Sequence, residues 1–254
     1  MIRIAAVIPA RLASTRFPGK PLIDIEGLPM IEHVRRRAAL CEGFSDVVVA
    51  TCDQEIASVV EKNGGRVVMT SQDHPAATDR VAEAATGLDC THVVNVQGDE
   101  VLVLPEDLSR LVQAIQDHPE ISAWNAVAAI GHQSMLDDES IVKCEVSGEG
   151  RILSCTRKTT GNSYEDSQAS VRQLLGILAY RTDFLQKYGA LERTPTELAE
   201  RIDQCRIIEH GEHLQSVEFS KGYISINESR EVSQVQACLK EDSAQQQVLV
   251  EVLR

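Results

Sequence analysis

Short apolar segments alternate with helix-spaced segments through the first half of the chain, and this alternation constrains the fold more than any other feature. The predicted strands and helices follow one another as Ile4–Ile8, Met30–Leu40, Val47–Ala50, Gln54–Asn63, Arg66–Met69, Thr78–Thr86, His92–Gln97 and Pro105–Asp117. Strands joined through crossover helices by short links are typical of a parallel sheet. The first half therefore predicts a mostly parallel, Rossmann-like α/β sheet with helices on both faces.

The second half has a different pattern, in which strand candidates lie close together as in an antiparallel extension. The predicted strands are Val127–Ile130, Lys143–Val146, Ile152–Cys155 and Gly176–Arg181, and the predicted helices are Leu198–His210 and Ser229–Leu239. The sequence contains no internal repeat, no low-complexity linker and no clean domain boundary. We therefore predict a single domain over residues 1–254, of which about 125–195 form the extension.

Composition and charge exclude several classes of protein. The chain has 25 Lys+Arg against 38 Asp+Glu, a formal net charge of −13, so it offers no basic stripe for a nucleic acid. No apolar run approaches the ~20 residues of a membrane helix, and the apolar stretch near the N-terminus is too short for a signal peptide. The 7 cysteines form no CxxC pair and are expected to be free thiols. These features predict a cytoplasmic protein without a membrane partner.

In an open parallel sheet, ligands bind outside the carboxyl ends of the strands, and a loop rich in cations follows the first predicted strand. The segment Pro9–Leu22 contains Arg11, Arg16 and Lys20 together with Ser14, in an otherwise acidic chain. Cations and a close-approaching glycine suit a triphosphate, although neither the Walker pattern nor GxGxxG is present. The alternative is a solvated basic loop.

Two further segments carry candidate chemistry. Asp99 follows the strand that ends in Asn95-Val96-Gln97, and a carboxylate in that place suits Mg²⁺, although a simple Gly-Asp turn would explain it equally well. The segment Asp73–Arg80 leads into a helix for which Thr78 is the predicted N-cap. Capping does not account for Arg80 or for the neighbouring Asp73 and His74.

Together these segments resemble one known family. The motifs are PARxxSTRxPGKPL at 9–22, VAT at 49–51, TxxDH at 70–74, TDR at 78–80 and VNVQGDE at 94–100, followed by Gly176–Arg181 and by Thr194–Glu197 through Gln204–Arg206. They closely resemble the 3-deoxy-manno-octulosonate (Kdo) cytidylyltransferases, the CMP-Kdo synthetases. The resemblance implies a nucleotidyltransferase that joins CMP from CTP to the anomeric hydroxyl of an acidic eight-carbon sugar and releases pyrophosphate. It further implies Mg²⁺ as cofactor, a homodimer, and a product used in lipopolysaccharide synthesis.

The resemblance also implies roles for individual residues. Asp99, Lys20 and Arg16 are the implied catalytic residues, and Asp99 and Asn227 the implied metal ligands. The implied nucleotide site contains Ala10, Arg11, Ser14, Lys20, Thr78 and Arg80. The implied sugar site contains Gln97, Leu174, Tyr180, Asp203 and Gln204, and the extension would serve the sugar and the dimer. No Ser-His-Asp order and no activated cysteine suggests a protein nucleophile.

The departures from the family pattern lie on the sugar side. Leu174, Leu178 and Asn227 stand where the family has a histidine, a tyrosine and an aspartate. Drift, misalignment or decay to an inactive paralogue would explain them, but our hypothesis is a different sugar, the 8-amino-3,8-dideoxy form of Kdo. The alternative is an ordinary CMP-Kdo synthetase that uses Kdo. More distant alternatives are a GT-A glycosyltransferase, whose DxD motif is absent, and a non-catalytic CTP sensor.

Overall fold

The computed structural model describes residues 1–13, 16–158 and 164–254. These residues form two compact units, the first from Met1–Val112 with Tyr223–Arg254 and the second from Gln113–Gly222. None of the helices in the described part of the chain is long and apolar enough to cross a membrane. The single domain with an extension at 125–195 stays a prediction.

Strands and helices alternate over most of the chain. The strands are β1 (Ile4–Ala10), β2 (Asp24–Ile25), β3 (Leu28–Pro29), β4 (Asp46–Thr51), β5 (Arg66–Met69), β6 (His92–Val96), β7 (Ala123–Ala129), β8 (Lys143–Val146), β9 (Ile152–Thr156), β10 (Val171–Arg181) and β11 (Leu214–Glu218). The α-helices are α1 (Met30–Ala39), α2 (Gln54–Lys62), α3 (Ala77–Ala85), α4 (Pro105–Asp117), α5 (Gln133–Asp137), α6 (Tyr164–Ser167), α7 (Thr182–Tyr188), α8 (Pro195–Glu200), α9 (Gln204–Glu209), α10 (Arg230–Glu241) and α11 (Ser243–Val252).

The first unit contains a parallel sheet in the strand order β6-β1-β4-β5. Every residue of β1 is buried, so both faces of this central strand are covered. Its near-continuous apolar sequence, IAAVIPA, is the sequence expected of such a strand. The predicted mostly parallel α/β sheet is confirmed.

The second unit contains the antiparallel strands. β10 pairs antiparallel with β7 and with β8, and β8 pairs antiparallel with β9, whereas β11 runs parallel to β7. The pairing of β10 with β7 shifts register between Leu174 and Leu178. The predicted antiparallel extension is therefore confirmed, with one parallel strand that the sequence analysis did not include.

Two predictions about helices are wrong. The predicted helix Leu198–His210 is two short helices, α8 and α9, because Arg201 adopts a left-handed conformation with φ 57° between them. Thr78 is not an N-cap: α3 begins one residue earlier at Ala77, and Thr78 is buried inside the helix. The Asp79 carboxylate takes the capping role by accepting a hydrogen bond from the Ala76 N–H at 3.2 Å.

Candidate active site

The carboxyl ends of β1 and β6 form the edge at which the site lies. The two strands are parallel neighbours with Val7 opposite Asn95, so the segments that follow them leave the sheet side by side. Their backbones then come very close, because a Cβ on Gly98 would lie 2.8 Å from the Pro9 carbonyl oxygen. Glycine at this position lets the Gly98-Asp99 turn pass directly against the end of β1.

A cavity of about 280 Å³ opens at this edge. Its lining combines cations and an acid with small and apolar side chains. The lining residues are Pro9, Ala10, Arg11, Arg16, Lys20, Pro21, Met30, His74, Ala76, Ala77, Arg80, Gln97, Gly98 and Asp99. The structure thus brings most of the predicted residues of the first unit together. The exceptions are Thr78, which is buried and outside this lining, Asn227, which is also outside it, and Ser14, which lies outside the described residues.

The cation-bearing loop after β1 is held by backbone contacts. The Leu12 N–H donates to the Asp53 carboxylate at 2.8 Å, and the Leu12 carbonyl accepts from the Gly19 N–H at 3.1 Å. Gly19 has φ 73°, a conformation that favours glycine, and the turn it makes leads directly into Lys20. Asp53 was not among the predicted site residues, and only its place directly after a buried strand could have suggested it.

Lys20 and Asp99 form an ion pair at the centre of the lining. The Lys20 ammonium lies 2.8 Å from Asp99 Oδ2 and donates to the Ile226 carbonyl at 2.8 Å. The Asp99 carbonyl in turn accepts from the Ile226 N–H at 3.2 Å. Asp99 and Ile226, which lie more than 120 residues apart in the sequence, therefore fix the ammonium of Lys20, the predicted nucleotide-binding lysine.

A second cation of the loop has a neutral partner. Arg16 donates from Nη2 to the side-chain oxygen of Asn227 at 3.1 Å. Asn227, predicted as a metal ligand, therefore lies beside Arg16, and its Oδ1 already accepts from a cationic group.

Three side chains of α3, those of Asp79, Arg80 and Glu83, bind residues of the segment 70–76, and the contact of Asp79 is the one with the Ala76 N–H described above. Arg80 donates to the Thr70 hydroxyl, and Glu83 binds both His74 and the Ser71 N–H, the latter at 2.9 Å. The hydrogen bond from His74 is the main cause that lowers the pKa of the Glu83 carboxyl, followed by the one from Ser71. Arg80 thus lines the cavity and also holds Thr70. Helix capping alone did not account for this residue.

The donor set fits Mg²⁺ only in combination with a substrate. Among the described residues, no group of three or more His, Cys, Asp or Glu side chains could hold a metal ion. Mg²⁺ is commonly bound by one or two carboxylates together with substrate phosphates, and Asp99 supplies one such carboxylate in a lining with four arginine and lysine side chains that suit phosphates. Asp99 would therefore hold the ion jointly with the nucleotide.

The cysteines do not supply a nucleophile in the second unit. None of the 7 cysteines forms a disulfide, as predicted. Burial raises the pKa of Cys144 to about 12 and that of Cys205 to about 11, and it also raises that of Cys155. These thiols stay protonated at neutral pH, so the arrangement matches a reaction without a covalent protein intermediate.

The predicted sugar residues of the second unit are mostly buried. Gln204 donates from its amide nitrogen to Asn125 Oδ1 at 2.8 Å, and Asn125 donates to the Leu175 carbonyl at 3.0 Å. Leu174 and Tyr180 are buried in β10, and the Asp203 carbonyl accepts from the Tyr188 hydroxyl at 3.0 Å. Asn125, which the sequence analysis did not select, connects Gln204 to the irregular part of β10.

The fold and the cation-lined cavity at the sheet edge are those of a nucleotidyltransferase, and the comparisons with known proteins give the family. The model of the family described as cytidylyltransferase matches residues 5–214. The chain is 36% identical over 250 residues to a 3-deoxy-manno-octulosonate cytidylyltransferase of Geobacter sulfurreducens, covering 94% of this chain and 100% of the relative. It is 38% identical over 214 residues to an 8-amino-3,8-dideoxy-manno-octulosonate cytidylyltransferase of Shewanella halifaxensis, covering 83% and 87%.

A solved structure gives the same result. A CMP:2-keto-3-deoxy-manno-octonic acid synthetase complexed with CTP superposes with a TM-score of 0.89 at 32% identity, covering 94% of this chain and 99% of that one. The chain therefore belongs to the cytidylyltransferase family, within the CMP-Kdo synthetase group that its motifs resemble, and is a nucleotidyltransferase enzyme.

Proposed function

We propose that this protein transfers CMP from CTP to the anomeric hydroxyl of a 3-deoxy-octulosonate sugar, with release of pyrophosphate. The observation that carries the proposal is the Lys20–Asp99 pair, 2.8 Å apart, in a cavity that Arg11 and Arg16 also line. Three cations around one carboxylate suit a triphosphate and its metal ion better than any neutral ligand. The proposed setting is a cytoplasmic homodimer that supplies lipopolysaccharide synthesis.

The cations of the cavity position and stabilise the reacting phosphates. In-line attack by the sugar hydroxyl on the α-phosphorus forms the new P–O bond and breaks the bond to pyrophosphate. Arg11, Arg16 and Lys20 bind the oxygens on which negative charge accumulates, and their fixed placement avoids reorganisation during the reaction. Mg²⁺, held by Asp99 and the nucleotide, would supply further charge neutralisation.

Two contacts within the protein position the Lys20 side chain. Its ammonium donates to the Asp99 carboxylate and to the Ile226 carbonyl, so contacts within the protein direct the long side chain into the cavity. Less side-chain entropy is then lost when it binds a phosphate oxygen.

We further propose the 8-amino-3,8-dideoxy form of Kdo as the sugar. Leu174 and Leu178 replace two hydrogen-bonding side chains of the family pattern. The Shewanella halifaxensis relative, whose name specifies the 8-amino sugar, supports this choice. The names of the Geobacter sulfurreducens relative and of the CTP complex support Kdo itself, so both sugars enter the test.

A pyrophosphate-release assay with CTP and Mg²⁺ tests both parts of the proposal. With the 8-amino sugar we expect turnover, and at neutral pH a higher kcat/KM than with Kdo. The Asp99→Asn variant, which keeps the shape of the side chain but loses its charge, is the matched control and is expected to lose at least ~100-fold in kcat/KM. Equal values for the two sugars, or a preference for Kdo, would refute the choice of sugar. Absence of pyrophosphate release with either sugar would refute the proposed reaction.

A further inference from the structure

A short segment that leads into α10 contacts the cation-bearing loop and Asp99 at the same time. We name residues 225–231 the strap. Ile226 in the strap donates its N–H to the Asp99 carbonyl at 3.2 Å and accepts from Lys20 at 2.8 Å. The next residue, Asn227, binds Arg16 at 3.1 Å. Consecutive strap residues thus hold two of the four arginine and lysine side chains that line the cavity.

The orientation of the Asn227 amide is fixed by its neighbours. Its Oδ1 accepts from Arg16, and its Nδ2 donates to the Ser225 hydroxyl at 3.1 Å. Its backbone N–H donates to the Glu231 carboxylate, which also accepts from the Glu228 N–H at 2.8 Å. A flipped amide would direct NH₂ protons at the guanidinium, so the oxygen faces Arg16 for an electrostatic reason.

This arrangement conflicts with a role of Asn227 as a metal ligand. The amide oxygen is the one atom with which an asparagine binds Mg²⁺, and here it accepts from a guanidinium. Asp99 differs, because a carboxylate that pairs with Lys20 through Oδ2 has a negative charge and a second oxygen, Oδ1, for a metal ion. A divalent cation on the same oxygen would lie within a few ångströms of the positive charge of Arg16 and be repelled by it.

We propose that Asn227 is a positioning residue that holds Arg16 toward the nucleotide phosphates. The assignment rests on the proposed use of CTP. The amide is neutral, so it fixes the guanidinium by a hydrogen bond without neutralising it, and the full charge of Arg16 remains for a phosphate oxygen. A carboxylate at position 227 would bind Arg16 more strongly and compete with the phosphate for it.

The dissociation constant of CTP, measured by calorimetry in EDTA and again in Mg²⁺, separates the two roles. Asn227→Ala is expected to weaken CTP binding by about 3- to 10-fold in both buffers, in the range of an ordinary intramolecular hydrogen bond. In an Arg16→Ala background the same substitution is expected to have no further effect, because the residue on which it acts is gone. A metal ligand would instead lose affinity only in Mg²⁺, and would do so with or without Arg16.

The Asn227→Asp variant provides a second, independent comparison and keeps the size of the side chain. It is expected to weaken CTP binding in EDTA, because the new carboxylate pairs with Arg16. Tighter binding of CTP confined to Mg²⁺ would overturn the assignment and identify position 227 as a metal ligand position. If the protein without substitutions binds CTP in neither buffer, both this assignment and the proposed function are wrong. Loss confined to Mg²⁺ in Asn227→Ala would overturn this assignment alone.

Discussion

A single methyl group at Gly98 tests the geometry of the site. The Cβ of an alanine there would lie 2.8 Å from the Pro9 carbonyl oxygen and 3.6 Å from Ile31 Cδ1. The first contact is too short to be tolerated, so one of the two backbones has to move. Pro9 lies in β1, which is paired on both sides by β4 and β6, and therefore the displacement falls on Gly98 and on Asp99 beside it.

The cost has two parts. Overpacking of this kind costs about 1–3 kcal/mol of the free energy of unfolding, which lowers the melting temperature of a chain of this size by roughly 2–12 °C. A shift of Asp99 also lengthens its 2.8 Å contact with Lys20. Misplacement by about 1 Å in a site that acts by positioning can reduce kcat/KM by ~100-fold. We expect Gly98→Ala to lose activity more severely than stability.

Calorimetric melting and the pyrophosphate-release assay measure the two parts separately. Gly87→Ala is the matched control in the same unit, because a Cβ there would meet only the Ala84 carbonyl oxygen, at an ordinary 3.8 Å. The control is expected to melt and react like the parent protein. If Gly98→Ala does so too, the close approach of the two backbones and the reasoning built on it are wrong.

Two further predictions concern buried charges, one in each unit. Arg37 is completely buried, donates to the Val103 carbonyl at 3.1 Å and has no hydrogen-bond partner for Nε or Nη2 within the described residues. Burial lowers the pKa of Arg37 to about 10, a fall that costs the charged form about 3 kcal/mol at neutral pH. Arg37→Met removes this cost but also one hydrogen bond worth about 1–3 kcal/mol. We therefore expect urea unfolding to show an unchanged or slightly increased free energy of unfolding. A loss above about 2 kcal/mol would contradict this expectation. In the second unit, Glu197 binds Arg206 at 2.7 Å with both side chains buried, so Glu197→Ala should lose about 3–5 kcal/mol in the same measurement. A smaller loss in the double variant Glu197→Leu/Arg206→Met than in Glu197→Ala would confirm that the unpaired Arg206 charge causes the damage, and an equal or larger loss would refute it.

The first half of the fold was predictable because each element satisfies a local rule. β5 (Arg66–Met69) and α4 (Pro105–Asp117) have the predicted bounds, and the other predicted elements there differ by at most two residues at either end. The two-residue strands β2 and β3 were not predicted. Buried parallel strands read as short apolar runs, and amphipathic helices repeat their apolar residues at helical spacing. Both signals are strong where the strands are central and the links are short.

The second half was less predictable because long-range contacts decide it. The break between α8 and α9 falls at Arg201, which is neither glycine nor proline, and no local signal marks it. The buried Glu197–Arg206 pair connects the two short helices, and only the folded chain brings these side chains together. α11 was missed because its sequence, SAQQQVLVEV, has polar residues where a periodic apolar face would be expected, although the preceding Asp242 is a recognisable N-cap.

In the candidate site, too, residues with a local sequence signal could be predicted and long-range contacts could not. Arg11, Arg16, Lys20 and Asp99 could be selected from sequence because their chemical type and their place after a strand identify them. Their contacts could not: the Ile226 carbonyl that binds Lys20 and the Asp53 carboxylate that binds the Leu12 N–H were not selected, and Asn227 was selected as a metal ligand and not as the partner of Arg16. These groups lie 41 to 211 residues away from the groups they bind. A backbone carbonyl in addition has no sequence signature at all. The cations that line the cavity are therefore visible in the sequence, and Asn227 is visible as a departure from the family pattern, whereas the hydrogen bond by which Asn227 holds Arg16 becomes visible only in the fold.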